Sequence, residues 1–225
     1  MFYNSNAYSA RFTMPGEQTD GQGNDWYSFV YGNVHVVSVS SEHDYSPGSK
    51  QMLWLAKNLA QAQKNRAKVP WVIFNIHRPL YSSDKDGWNS HHAGAPLQSA
   101  FEPLLLKFGV DLVLVGHQHC YERIHPVVNG TVVSWPSRGP NQTDTYSSPA
   151  APVHVVVGSA GAMQVESWVD PPPQWSATRL ANGDGGQYTD TFGYGNLQVF
   201  NRTHLSFQFV PITGNKVDAF WIVKI

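Results

Sequence analysis

Runs of apolar residues separated by polar stretches divide the chain into elements with two different periods. Trp26 to Asn33 reads as a strand and a turn, and Val34 to Ser40 as a second, β-branched strand. Ser46-Pro47 marks a helix start, with Ser as the cap and Pro at the first position. Met52, Leu55, Ala56 and Leu59 follow at helical spacing up to about Lys64. Trp71-Val72-Ile73-Phe74-Asn75-Ile76, ended by His77-Arg78-Pro79, reads as a buried strand. Leu97, Phe101, Leu104, Leu105 and Phe108 return to helical spacing and end at Gly109. Pro103 lies inside that helix. Val110 to Val115 is another buried strand, so the segment from 71 to 115 reads as strand, helix, strand. Further on, strands are predicted at 152–158, 194–200, 205–210 and 217–225, with a tight turn at Ser159 to Ala162. Residues 1–25, 132–152 and 166–190 read as irregular or loop.

Both buried strands of the strand–helix–strand unit end in histidine. His77 follows the first, and Gly116-His117-Gln118-His119 follows the second. A helical crossover makes the two strands parallel, so their C-terminal ends lie on one side, where α/β sheets bind ligands. Imidazole nitrogens on His77, His117 and His119 can hold a transition metal. Three histidines alone suit a mononuclear site with one open position. With carboxylates added, they suit a pair of metals that activates water and clamps a phosphoryl group. The long loop from Leu80 to Gly94 carries His91-His92, which reads either as a solvated dipeptide or as a proton donor facing the metals. For His35, His43, His125, His154 and His204 a purely structural role is the simpler reading. Cys120, the one cysteine, reads as a small buried hydrophobe and makes no internal disulfide.

Composition narrows the classes. The chain is 41% hydrophobic and 13% aromatic, enough for a real core, and its charged fraction of 14% with net charge −1 excludes a basic nucleic-acid surface and a coiled coil. No run of about 18 apolar residues is present, so no transmembrane helix or membrane partner is expected. Asn129-Gly130-Thr131, Asn141-Gln142-Thr143 and Asn201-Arg202-Thr203 are glycosylation sequons, yet the first residues do not form a signal peptide. That conflict leads us to expect that the chain lacks its natural beginning. A phosphate-cradling loop is not evident, since Gly183 to Gly186 precedes no helix, and no Gly-x-Ser-x-Gly elbow occurs.

Gly116-His117-Gln118-His119 followed by Tyr121-Glu122-Arg123 resembles the purple acid phosphatases, within the calcineurin-like metallophosphoesterases. So do His77-Arg78-Pro79-Leu80-Tyr81, Trp26 to Phe29, Val34 to Ser38, Glu42 to Tyr45, Tyr194 to Leu197 and Val217 to Trp221. The resemblance covers nearly the whole chain. It implies an α/β fold, the C-terminal half of a four-layer α/β/β/α sandwich with mixed sheets. A single partial domain would span residues 1–225, with the metal-bearing region in residues 1–126 and the C-terminal region in residues 127–225. It implies a dinuclear centre of Fe with Zn, Mn or Fe, in which His77 and His117 bind the divalent metal and His119 the ferric ion. His91 and His92 match the histidines that contact phosphate and protonate the leaving group.

The implied reaction is hydrolysis of phosphate monoesters at acidic pH by a metal-bound hydroxide. The implied setting is secreted, extracellular or vacuolar, and a homodimer is compatible with it. The family's earlier ligand motifs, Gly-Asp-x-x-Tyr and Gly-Asn-His, do not occur in these residues. The chain therefore reads as the portion that follows them, with exposed sheet edges. Two alternatives remain open: a truncated non-catalytic fragment or pseudoenzyme with an incomplete metal site, and a mononuclear hydrolase using His77, His117 and His119.

Overall fold

The structure is a computed structural model that describes residues 6–85, 88–139, 142–162, 167–180, 192–212 and 218–225. A short helix α1 (Asn6–Arg11) lies in the stretch expected to be irregular. A tight hairpin follows: β1 (Tyr27–Tyr31) and β2 (Val34–Ser38), joined through Gly32 at φ +55°. Next come α2 (Lys50–Lys64), β3 (Trp71–Ile76), α3 (Pro96–Lys107), β4 (Leu112–Val115) and β5 (Tyr121–Ile124). The small hairpin β6 (Val127–Val128) and β7 (Thr131–Val132) precedes β8 (Ser137–Arg138), β9 (Asp144–Ser147), β10 (Val153–Val157) and β11 (Ser176–Leu180). The chain ends with β12 (Gly193–Val199), β13 (His204–Pro211) and β14 (Ala219–Val223).

Among the described residues the strands form two main sheets. One runs β1-β2-β3-β4-β10-β5-β11 and is mixed, with β2, β3, β4 and β10 parallel. The other runs β12-β13-β14-β9-β8. Side chains alternate across the larger sheet. On one face Val37, Phe74, Ile76, Val113 and Val115 meet Leu55 and Leu59 of α2 and Phe101 and Leu105 of α3. On the other, Ile73, Leu112, Tyr121, Val153 and Val155 meet Phe207, Phe209, Phe220 and Ile222 of the smaller sheet. The result is three layers, α/β/β. It explains why β4 and the first four residues of β3 are apolar without alternation: both of their faces are covered. Each fully buried Leu or Phe contributes roughly 1.5–3 kcal/mol of transfer free energy to this packing.

Some boundaries differ from those the pattern predicts. The α2 cap is Ser49, whose hydroxyl accepts the Met52 N–H at 3.4 Å, so the helix begins three residues beyond Ser46. Ser46 and Pro47 instead occupy the approach, where the Ser46 N–H donates to the Asp44 carboxylate at 2.8 Å. Strands β8 and β9 lie in the predicted loop 132–152, and β11 lies in the predicted loop 166–190. Every residue of β11 is half-buried, so the strand carries no alternation to detect. The Gly183 to Gly186 stretch lies outside the described residues.

A buried polar cluster joins the two sheets. Arg123 on β5 donates from Nε to Asp218 at 2.7 Å, from Nη2 to Asp144 at 2.8 Å and from Nη1 to the Tyr146 hydroxyl at 2.8 Å. Tyr121 adds an O–H donation to Asp218 at 2.6 Å. Taking these charges out of water is costly, and the full set of partners offsets that cost.

The packing has consequences for association and for stability. At the sheet edge, β1 leaves Phe29, Val30 and Tyr31 exposed, Tyr31 by 81%. Such an edge invites pairing with another chain. Val30→Lys is expected to lower concentration-dependent self-association in sedimentation velocity, and an unchanged distribution counts against the edge as its cause. His154 on β10 is fully buried, and burial pushes its pKa down to about 3. Between the unfolded value of about 6.5 and that value, only the unfolded chain takes up the proton. Stability is therefore complete above about pH 6.5 and falls as the pH drops, by up to about 1.4 kcal/mol per pH unit. Urea midpoints measured from pH 6.5 downward are expected to fall less steeply in His154→Leu, and equal slopes would contradict this.

Candidate metal centre

The register of β3 and β4 sets the site. Ile76 pairs with Val115, and the Gly116 N–H donates to the His77 carbonyl at 3.0 Å, so the ladder continues one step past both strands. His77 and Gly116 thus leave the sheet side by side. His117 then adopts φ +66°, and the Gln118 N–H closes back onto the Gly116 carbonyl at 2.8 Å. A left-handed conformation costs a non-glycine residue roughly 1–2 kcal/mol and is a mark of functional turns. Here it accompanies a close approach of two imidazoles: His117 Nδ1 lies 3.2 Å from His77 Nε2, with ring centroids 5.0 Å apart.

The third ring in the group is His91. It is 2% exposed, and its centroid is 5.8 Å from that of His117. Its ring hydrogen-bonds the Pro79 carbonyl, while Nδ1 is buried without a hydrogen-bond partner among the described residues. Burial is the main cause that pushes its pKa down to about 4, and the nearby His117 and Arg78 add to it. His77 and His117 are also lowered, first by burial. Arg78 pushes the same way, and Glu42 opposes. His119 is half-buried and close enough to both to lower them further. His92 places Nδ1 2.7 Å from the Ala93 carbonyl.

The sequence does not reveal two further features of the site. Glu42 forms a two-pronged pair with Arg78, at 2.6 and 3.2 Å, next to the histidines. A cleft of about 620 Å3 opens beside His77, lined by Tyr8, Asp25, Glu42, His43 and Asn75 among others. Asp25 and His43 face each other there at 3.6 Å. These residues come from separate segments, and no local spacing signals their meeting. His35 bonds Asn58, His125 bonds Tyr146, His204 bonds Thr203, and His154 lies in the core. Cys120 is fully buried.

The two histidines share a ring-to-ring hydrogen bond at 3.2 Å, a separation that one metal ion would also span. Two nitrogens bound at 2.0–2.1 Å with an angle between square and tetrahedral stand about 2.9 to 3.4 Å apart, and the observed separation is 3.2 Å. The ligand set is short, however: among the described residues no group of three or more His, Cys, Asp or Glu is placed to hold a metal.

Comparison with known proteins bears on the family of the chain. The calcineurin-like phosphoesterase family model matches residues 3–121, and the iron/zinc purple acid phosphatase-like protein C model matches 151–219. The chain is 36% identical to acid phosphatase type 7 of Homo sapiens over 238 residues, covering 99% of this chain and 50% of that protein. It is 34% identical to purple acid phosphatase 18 of Arabidopsis thaliana over 201 residues, covering 88% and 39%. Among solved structures it superimposes on purple acid phosphatase PPD1 from yellow lupin (Lupinus luteus) with a TM-score of 0.72 and 27% identity. That match covers 88% of this chain and 32% of the lupin chain. The chain thus spans about half or less of the length of these relatives.

Gly158, just after β10, offers a test of how tightly the loop is held. Its N–H donates to the Cys120 carbonyl at 3.0 Å, and a Cβ there would lie 1.9 Å from the Gln118 carbonyl oxygen. Backbone must move to admit a methyl group. Gly158→Ala is expected to weaken cobalt(II) binding roughly tenfold in a calorimetric titration by displacing the His117 turn. Unchanged affinity would show that the turn does not depend on this contact.

Proposed function

The chain belongs to the calcineurin-like phosphoesterase family, in its purple acid phosphatase branch, and from that premise we propose that it carries the histidine side of a metal-dependent acid phosphatase acting on phosphate monoesters. The observation that carries this reading is the pair of imidazole nitrogens 3.2 Å apart at the ends of two parallel strands. His77 and His117 hold one divalent ion, zinc, manganese or iron, and His119 serves a neighbouring iron. When bound, this centre supplies an activated water and neutralises phosphoryl oxygens.

The protein's own side chains do the rest. His91, held against the pair with Nδ1 unpartnered, exchanges a proton with the phosphate or its leaving alcohol. Arg78 sets a positive field over the three rings. Glu42 neutralises part of it and fixes the guanidinium in place. A secreted or vacuolar setting belongs to the same reading, supported by the exposed sequon Asn201.

A second reading, metal binding without turnover, is favoured by two observations. Neither Gly-Asp-x-x-Tyr nor Gly-Asn-His occurs in the chain, and the described residues form no group of three or more ligands. Hydrolysis of 4-nitrophenyl phosphate at acidic pH, after loading with iron and zinc, separates the two. The phosphatase reading expects turnover that falls on the order of a hundredfold or more in His117→Ala. Metal retained with no turnover supports the second reading, and turnover indifferent to His117→Ala overturns the assignment of the site.

A further inference from the structure

Glu122 is fully buried on β5, three residues beyond His119. Its carboxylate accepts four hydrogen bonds from two distant segments. Ser82 Oγ donates at 3.1 Å, the Ser83 N–H at 2.8 Å, Ser83 Oγ at 2.5 Å and Ser176 Oγ at 2.6 Å. A carboxylate in this position is expensive unless every oxygen is satisfied. Burial pushes the Glu122 pKa up, and the hydrogen bonds from Ser176 and Ser83 work against that shift. Filling space at this point of the sheet needs only an apolar side chain, such as Ile124 in the same strand. A carboxylate is required only if the donors around it must be held.

What those donors hold is the histidine loop. Ser82 is tied at both ends: its hydroxyl goes to Glu122, and its backbone N–H donates to the His91 carbonyl at 2.9 Å. Ser83 is pinned on its other side, where its carbonyl accepts the Val169 N–H at 2.9 Å. The Lys85 N–H reaches the Ser167 carbonyl at 2.7 Å. Arg179 closes the group, donating to Ser176 Oγ at 3.1 Å and to the Val169 carbonyl at 3.0 Å. The connection between β3 and α3 is thus strapped between β5 and the 167–176 segment, with Glu122 as the shared acceptor. His91 lies in that connection, outside any helix or strand that could fix it.

We infer that Glu122 is a positioning residue for His91. Through Ser82 it holds the His91 ring against the His77–His117 pair, and it touches neither metal nor substrate. The inference rests on the phosphatase reading for its meaning in the reaction. The geometry it asserts is readable without turnover.

The test uses the full chain with ring-labelled histidine and compares Glu122→Gln with Glu122→Leu. Cross-relaxation between the His91 and His117 rings reports the loop, and that between Phe207 and Phe220, 5.5 Å apart in the inter-sheet core, reports the fold. Gln can accept from the Ser83 N–H while the serine hydroxyls turn to accept from its amide, so Glu122→Gln is expected to keep both contacts. Glu122→Leu leaves these donors unpaired, and it is expected to lose the histidine contact and keep the phenylalanine one. If Glu122→Leu does not fold, Ser82→Ala with Ser83→Ala removes the same hydroxyl donors from the loop side, with the same selective loss expected. Persistence of the histidine contact in the Leu or double serine variant overturns the inference, as does equal loss in Gln and Leu. A wild-type chain that hydrolyses nothing overturns the phosphatase reading instead and leaves this result to be judged on its own.

Discussion

The parallel pairing of β3 with β4 is the constraint on which the rest depends. Both strands are largely buried on two faces, Asn75 near the end of β3 being the exposed exception, so most of their length has no room for a metal ligand. Chemistry is therefore displaced to the strand ends, where the ladder runs out and backbone is free to turn. The in-register pairing of Ile76 with Val115, extended by the Gly116 bond to His77, brings two ends to one point. A slip of one residue would send alternate side chains to the wrong face of the sheet and separate the imidazoles. The left-handed His117 and the crowded Gly158 are the local costs of making the turn sharp enough.

Strand β5 shows how one short stretch serves two layers. Its side chains alternate, so Tyr121 and Arg123 point between the sheets and Glu122 points the other way. Arg123 fastens the smaller sheet through Asp144, Tyr146 and Asp218, whereas Glu122 fastens the loop that carries His91. Two adjacent charged residues thus meet unrelated partners, and each is buried because its own partners satisfy it. The His117 turn lies immediately before this strand, so both attachments bear on the same few residues.

The sequence makes legible what local pattern determines. Continuous apolar runs identify β3 and β4, a crossover helix makes them parallel, and the histidines at their ends then have to meet. The helix of residues 96–107 survives Pro103, because its buried face, Leu97, Phe101 and Leu105, outweighs one lost backbone bond. Illegible are the features decided by distant partners. Strand β11 has no alternation, because it lies half-covered against β5. Ser49 and Ser46 look alike as caps, and the choice between them depends on where the chain enters the sheet-covering helix. His91 and His92 are equivalent in sequence, and the tether of His91 through Ser82 comes from a tertiary contact that spacing does not show. The partners of Glu122 lie 39 to 54 residues away, so its role leaves no trace in spacing.

The claim that His77 and His117 are two ligands of one ion is tested most directly by titrating this chain with cobalt(II) and following the visible absorption of the bound ion, alongside His77→Ala and His117→Ala. The expected result is about one equivalent bound through nitrogen, with the signal abolished or strongly weakened in either variant. Binding that survives both substitutions would place the ion elsewhere. Failure of the unaltered chain to bind any ion would mean that two imidazoles at this separation do not make a site by themselves.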